Sequence, residues 1–142
     1  MAVNTITFEI HTQGNAQMID ITAQVAGAVA KSNLTHGIAT VFTPSSTSAI
    51  TTIEYESGVL SDLNRLFDEI VDPAREYAHN ARWGDGNGHS HVRSALLGAS
   101  FTVPFVNGRL MLGTWQQIIF VDFDNRPRRR ECGCSAAAAG RR

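Results

Sequence analysis

Neither sign of charge dominates this sequence. Twelve Lys and Arg stand against 13 Asp and Glu, for a net charge of −1. A general nucleic-acid binder carries a basic excess, so nucleic acid is not an expected partner. No apolar run approaches the ~20 residues that a membrane-spanning helix needs. The N-terminus lacks the basic region and apolar core of a signal peptide. The expectation is a cytoplasmic protein without a membrane partner. Cysteine is scarce: Cys132 and Cys134 are too few for a disulfide framework or for a zinc site of their own, and they read as spectators. Gly84, Gly86 and Gly88 alternate along a polar stretch, but no Walker lysine follows and the order is not the dinucleotide fingerprint. Nucleotide binding is set aside.

What is present fits one domain of 142 residues, long enough to bury most of its apolar surface. Val3 to Ile10 reads as a strand, Met18 to Ile21 as a short second one, and Ala23 to Lys31 as a helix with Thr22 offering an N-cap hydroxyl. Gly37 to Thr43 reads as a buried strand stopped by Pro44. Ala49 to Tyr55 reads as the next strand, with Thr52, Glu54 and Glu56 on one face. Ser57 opens the strongest helix. Val59, Leu60, Leu63, Leu66, Phe67, Ile70 and Val71 recur at helical spacing, and Asp72-Pro73 ends it. Residues 73–88 read as irregular, and a short helix follows from Ser90 or His91 to Leu97. Phe101 to Val106, the turn dipeptide Asn107-Gly108 and Arg109 to Gly113 form a hairpin. Thr114 to Phe123 is a further strand. The result is an α+β domain of about seven or eight strands and two or three helices, mostly antiparallel at its C-terminal end.

The domain is placed at residues 1–131. Residues 132–142 have no strand pattern, read as low-complexity, and are expected to be a poorly ordered tail. Arg126, Arg128, Arg129, Arg130, Arg141 and Arg142 crowd this end and read as a solvated terminus rather than a binding patch.

Chemistry concentrates between Asp85 and Arg93, where Asp-Gly-Asn-Gly-His-Ser-His-Val-Arg places a carboxylate, an amide, two imidazoles and a guanidinium together. His89 and His91 share a face if the backbone is extended; in a helix they sit about 200° apart and do not easily share an ion. With His79 they supply three imidazoles. Neutral, these would suit zinc; protonated, with Arg93, they would suit phosphate. The alternative is a loop bearing surface histidines. Asp85 is a candidate fourth ligand or an orienting neighbour. Glu54 and Glu56 are candidates for a general base or for holding Mg²⁺ against a diphosphate, the alternative being a solvated strand face. The hydroxyls of Ser45 to Ser48, with Ser46 and Thr47 at the centre, are candidates for phosphate contacts or an ordinary polar turn. Asn87, Trp115 and Gln116 are candidate pocket walls, though a Trp serves a core or an interface equally well.

Four blocks carry a resemblance. Ser46-Thr-Ser-Ala-Ile-Thr-Thr-Ile-Glu-Tyr-Glu-Ser-Gly58, Trp83-Gly-Asp-Gly-Asn-Gly-His-Ser-His-Val-Arg93, Leu96-Leu-Gly-Ala-Ser100 and Leu112-Gly-Thr-Trp-Gln-Gln117 resemble the YjbQ-like family, whose members are described as secondary thiamine-phosphate synthases. The similarity runs from about Thr5 to Arg130. It implies a compact fold of two packed sheets, a homotrimer with sites near subunit boundaries, and a histidine cluster (His79, His89, His91) holding a metal ion or an oxyanion. It also implies a weak transferase activity; the rival readings of the same imidazoles are a zinc-binding protein or hydrolase of unknown substrate and a non-catalytic phosphate-binding trimer. The transferase reaction joins hydroxymethylpyrimidine diphosphate to a thiazole phosphate and releases pyrophosphate, so the partner is a small phosphorylated substrate. Catalytic roles then fall to Glu54, Glu56, Asp85 and Arg93, and substrate contacts to Ser46, Thr47, Asn87, Trp115 and Gln116. Two departures stand out. Where many relatives have His-Thr-Thr or His-Thr-Ser, this chain has Ser45-Ser46-Thr47, leaving that His unfilled unless His36 takes its part. The apolar last strand of relatives is replaced here by Cys132 to Arg142.

Overall fold

The computed structural model describes residues 1–139. The elements run β1 (Ala2–Thr12), β2 (Gln17–Asp20), α1 (Thr22–Ser32), β3 (Gly37–Phe42), β4 (Ser48–Ile53), α2 (Ser57–Ile70), α3 (Ala78–Trp83), α4 (Gly88–Leu97), β5 (Ser100–Val106), β6 (Arg109–Leu110), β7 (Gln117–Asp122) and β8 (Arg128–Ala138). Two antiparallel sheets result, one in the order β1-β8-β3-β5-β6 and the other β2-β7-β4. The α+β class and its packed sheets are as expected, with four helices among the described residues rather than two or three.

Strand β7 explains the layering. Ile118, Ile119, Phe120 and Val121 are all buried, so both faces of the strand are covered, as its unbroken apolar run requires. Ile118 and Phe120 join the larger core with Val25 and Val29 of α1, Val41 of β3 and Val103 and Phe105 of β5. Ile119 and Val121 point the other way, into a smaller core with Phe67 of α2 and Phe123. The rings of Phe67 and Phe123 meet edge-on at 4.9 Å between centroids, the arrangement that aromatic quadrupoles favour. The three-stranded sheet therefore lies between the five-stranded sheet and the α2 and α4 side.

Helix starts and turns follow local chemistry. Glu56 caps α2, its carboxylate accepting from the Gly58 and Val59 N–H groups at 2.8 and 2.6 Å, at the end where the helix dipole favours negative charge. The Thr22 hydroxyl does not cap α1; it accepts from the Ile118 N–H at 2.9 Å, tying the helix to β7. Asn107 and Gly108 have φ of 53° and 73°, the two positive values that a two-residue hairpin turn requires. Residues 78–83 form α3 inside the stretch expected to be irregular; six residues without a buried member leave no apolar period to read. No helix among the described residues is long and apolar enough to cross a membrane.

The C-terminal stretch is the main correction. Residues Cys132 to Ala138 are not a disordered tail but most of β8, which pairs with β1 along its whole length, Ala2 opposite Ala138 and Thr12 opposite Arg128. Its other edge pairs with β3. The domain thus extends past residue 131, and the apolar last strand is present. Cys132, Cys134 and Ala136 alternate into the larger core, and burial raises the Cys132 thiol to about 12. Small side chains fit beneath α1, which lies against β8. Lacking the branched and aromatic residues typical of strands, the segment looks low-complexity. Gly140, Arg141 and Arg142 lie outside the described residues.

Because β8 separates β1 from β3, ending the chain at Arg130 should abolish cooperative folding. Circular dichroism and thermal melting of that truncated protein check this; a melt like that of the full chain would show β8 to be dispensable.

Candidate functional site

The site forms where β7 ends and β8 begins. Asp122 closes β7, Asp124 lies in the following turn, and Arg128 and Arg130 open β8. Alternation puts Arg128 and Arg130 in the same row as Cys132, Cys134 and Ala136, so the two arginines point inward while Arg129 points out and pairs with Glu9. Arg130 grips Asp122 at both carboxylate oxygens, 2.8 and 3.0 Å. It also donates to the hydroxyls of Ser45 at 2.9 Å and Thr47 at 2.8 Å. Asp122 is fully buried and accepts from the Thr12 hydroxyl at 2.6 Å. Arg128 holds Asp124 at 2.8 Å. Burial pushes the Asp124 carboxyl upward, but the Asn125 N–H and the Arg128 and Asn87 side chains outweigh it and bring its pKa down to about 2.

Above this floor is an open cavity of about 430 Å³ lined by Pro44, Ser45, Ser46, Thr47, Asp85, Asn87, His91, Asp124, Arg128 and Arg130. Asn87 is the N-cap residue of α4, and its amide donates to Asp124 at 3.3 Å. Gly88 follows because the chain passes close to Tyr77: a Cβ there would lie 2.5 Å from the Tyr77 Cβ. His79, from α3, lies behind the lining residues Asn87, Asp85 and His91. Its Nε2 is 3.0 Å from the Asn87 Oδ1 and 3.7 Å from an Asp85 oxygen, and its ring lies 4.4 Å from that of His91.

Residues 6–138 match the model of the family described as UPF0047 protein YjbQ-like. The chain belongs to that family. A UPF0047 protein of Methanothermobacter thermautotrophicus is 42% identical over 137 residues, spanning 96% of this chain and 94% of its own. The UPF0047 protein YugU of Bacillus subtilis is 39% identical over 127 residues, 89% of this chain and 93% of its own. Among solved structures, a hypothetical protein of Aeropyrum pernix superposes with a TM-score of 0.88 at 31% identity, covering 96% of this chain and 99% of that one.

On this YjbQ-like scaffold, Ser46, Thr47, Asp85, Asn87 and His91 meet at the cavity, with His79 beside them. The other candidates lie elsewhere. His89 and His91 both fall within α4, so they diverge as helical spacing requires. His89 turns inward, 8% exposed, toward the Tyr77 ring, and its Nδ1 has no hydrogen-bond partner among the described residues. Arg93 faces α2: it donates to the Val71 carbonyl at 2.8 and 3.1 Å and to Asp68 at 3.1 Å, and so fastens the C-terminal end of α2. Glu56 is occupied as the α2 cap, and Glu54 is exposed just beyond β4. Gln116 accepts from the Gly113 N–H and donates to Thr52, shaping its own loop. Trp115 is 72% exposed. His36 accepts from the Asn107 N–H at the hairpin and does not take the vacant His position. Among the described residues no three His, Cys, Asp or Glu side chains converge as a metal ion would need, so the three-imidazole zinc set does not fit.

Four members of the site were not among the candidates: Asp122, Asp124, Arg128 and Arg130. The sequence signal was their alternation, Asp-x-Asp and then Arg-x-Arg continuing into Cys-x-Cys.

Two outcomes follow from the geometry. Asp122→Ala leaves the Arg130 charge buried without its partner and should cost about 3–5 kcal/mol, measured by denaturant unfolding; a loss within ~1 kcal/mol, as for a surface pair, would refute the buried-pair reading. His89 is held below its ordinary pKa of 6.5, first by burial and then by the Arg93 charge, with Asp124 and Asp68 opposing. The folded state resists its protonation, so the stability it contributes is full above pH 6.5 and is lost as the pH falls below that value. The His89→Gln protein should therefore lose less melting temperature than wild type between pH 7.5 and 5.

Proposed function

We propose that the cavity binds a small phosphorylated substrate and supports a weak transferase reaction of the thiamine-phosphate synthase type. One observation carries this: Ser45, Ser46 and Arg128 border the same opening as His91, with the Thr47 hydroxyl beneath them held between Arg130 and Asp124. Hydroxyls and an Arg fork are the groups that recognise phosphate oxygens. Arg130 directs four of its five N–H groups to Asp122, Ser45 and Thr47, so its main task is to hold the hydroxyl loop in place. Arg128, fixed to Asp124 but one-third exposed along its side chain, is the guanidinium that reaches the ligand.

In the reaction, the thiazole nitrogen forms a bond to the pyrimidine methylene carbon while the bond from that carbon to the diphosphate oxygen breaks. Pyrophosphate leaves with the electron pair. The protein then supplies positioning and stabilises charge on the departing oxygens. No side-chain nucleophile is needed. Neither Arg93 nor Glu56 takes part, because both are committed to α2. The same proposal carries the homotrimer, which native mass spectrometry reads directly.

The test is calorimetric binding of inorganic pyrophosphate, then incubation with hydroxymethylpyrimidine diphosphate and thiazole phosphate. Arg128→Ala should weaken pyrophosphate binding roughly tenfold or more, since a charged hydrogen bond contributes about 1.5–3 kcal/mol, and should lower thiamine phosphate formation in parallel. Binding without product formation would leave a non-catalytic phosphate-binding protein. Equal binding by wild type and Arg128→Ala would remove this cavity from consideration.

A further inference from the structure

A second cavity opens beside the first. It has a volume of about 410 Å³ and is lined by Asp85, Asn87, Asn125, Arg126 and Arg128. Asp85, Asn87 and Arg128 also line the cavity already described, so these three residues form a wall common to both. Each volume is of the size that small-molecule sites have.

Charge is not shared evenly between the two. Around the first cavity, the carboxylates of Asp85 and Asp124 balance the guanidinium groups of Arg128 and Arg130. Around the second, Asp85 alone stands against Arg126 and Arg128. The surplus of positive charge therefore lies in the second. The nearby acids are committed elsewhere: Asp124 to Arg128, Asp122 to Arg130 and Glu9 to Arg129. Arg126 is exposed, and no carboxylate pairs with it among the described residues. Arg128 meets Asp124 through Nε and Nη2, at 2.9 and 2.8 Å. Its Nη1 group is uncommitted among the described residues. Guanidinium groups with N–H groups to spare suit the oxygens of a phosphate.

The turn that carries Arg126 is tied on every side. The Asp122 carboxylate accepts from the Asp124 N–H at 3.0 Å, and the Asp124 carboxylate from the Asn125 N–H at 2.9 Å. The Asp124 carbonyl accepts from the Asn15 N–H at 2.7 Å. Pro127 follows Arg126 and disfavours helical backbone at the residue before it. Asn125 donates through Nδ2 to the Asp85 carbonyl at 2.8 Å, which fastens the shared wall to the turn. A wall fixed before the ligand arrives loses less freedom on binding.

We propose that the second cavity is an anion subsite in which Arg126 and Arg128 hold the phosphate of a phosphate monoester, so that the two cavities seat two phosphorylated molecules on either side of the shared wall. This rests on the reading of the first cavity as the diphosphate site. A reaction that joins two phosphorylated molecules needs two anion subsites side by side, with the reacting ends meeting between them. The first cavity, with its charges balanced, supplies one. The second supplies the other, and Arg128 serves both.

Calorimetry on the full chain tests this, with thiazole phosphate and inorganic pyrophosphate as probes. With pyrophosphate saturating, thiazole phosphate should still bind. Arg126→Ala should weaken that binding roughly tenfold or more, while pyrophosphate affinity stays within about threefold, because the distant charge acts on it only through screened water. Arg128→Ala should weaken both. Amide spectra of each variant confirm that the fold persists. Thiazole phosphate that does not bind, that pyrophosphate displaces, or that binds Arg126→Ala as tightly as wild type would overturn the proposal. So would inorganic phosphate binding as tightly as thiazole phosphate, which marks a site for free phosphate rather than for a monoester. Failure of the diphosphate reading looks different. Pyrophosphate that binds and responds to Arg128→Ala upholds the first cavity whatever Arg126 does. Pyrophosphate that does not bind removes the first cavity, and the proposal of paired subsites falls with it, even where thiazole phosphate alone still depends on Arg126.

Discussion

The interaction on which the rest depends is the buried pair of Asp122 and Arg130. Taking both charges out of water is costly, and their attraction offsets that cost only when the remaining hydrogen-bonding capacity is also filled. Here it is filled. Thr12 donates to Asp122 from β1, and Arg130 extends its fork to Ser45 and Thr47 in the loop between β3 and β4. The pair thus ties β7 of one sheet to β1 and β8 of the other and to the hydroxyl loop. Asp124 and Arg128 repeat the arrangement two residues further along on both sides. The first layer holds the sheets together, and the second forms the floor of the cavity.

This arrangement also explains why several expected site residues have structural tasks instead. Arg93 and Glu56 bear the right charges for phosphate chemistry, yet each satisfies an end of α2: Arg93 takes the carbonyl of Val71, and Glu56 takes the first N–H groups. Helix ends leave backbone groups without partners, and a nearby charged side chain meets that need before any ligand does. His89 and His91 are separated by the same logic. Once α4 starts at Gly88, helical geometry sends one imidazole to the interior and the other to the cavity.

The fold was largely legible. The apolar stripe from Val59 to Val71 marked α2, the Ile118–Val121 run marked β7, and Asn107-Gly108 marked the hairpin, because each of these rests on local periodicity or turn chemistry. Strand β8 was not legible for a definite reason. Cys, Gly, Ser and Ala carry little strand preference of their own, and their place is decided by the close packing of α1 across the sheet. In the site, Ser46, Thr47, Asp85, Asn87 and His91 were recognisable as polar groups in short, conformationally special segments. Arg128 and Arg130 were set aside as a solvated run, since in one dimension a row of arginines looks the same whether or not carboxylates wait opposite.

By itself, the sequence determined the periods, the turns and the inventory of reactive groups, all of which depend on neighbours within a few residues. It also carried the family. Only the tertiary structure decided which charges meet. Asp122 and Thr12 are 110 positions apart, and Thr47 and Arg130 are 83 apart. No local preference couples such residues. Pairing of β8 between β1 and β3 brings them together, and the cost of leaving any one of them buried and alone keeps them there.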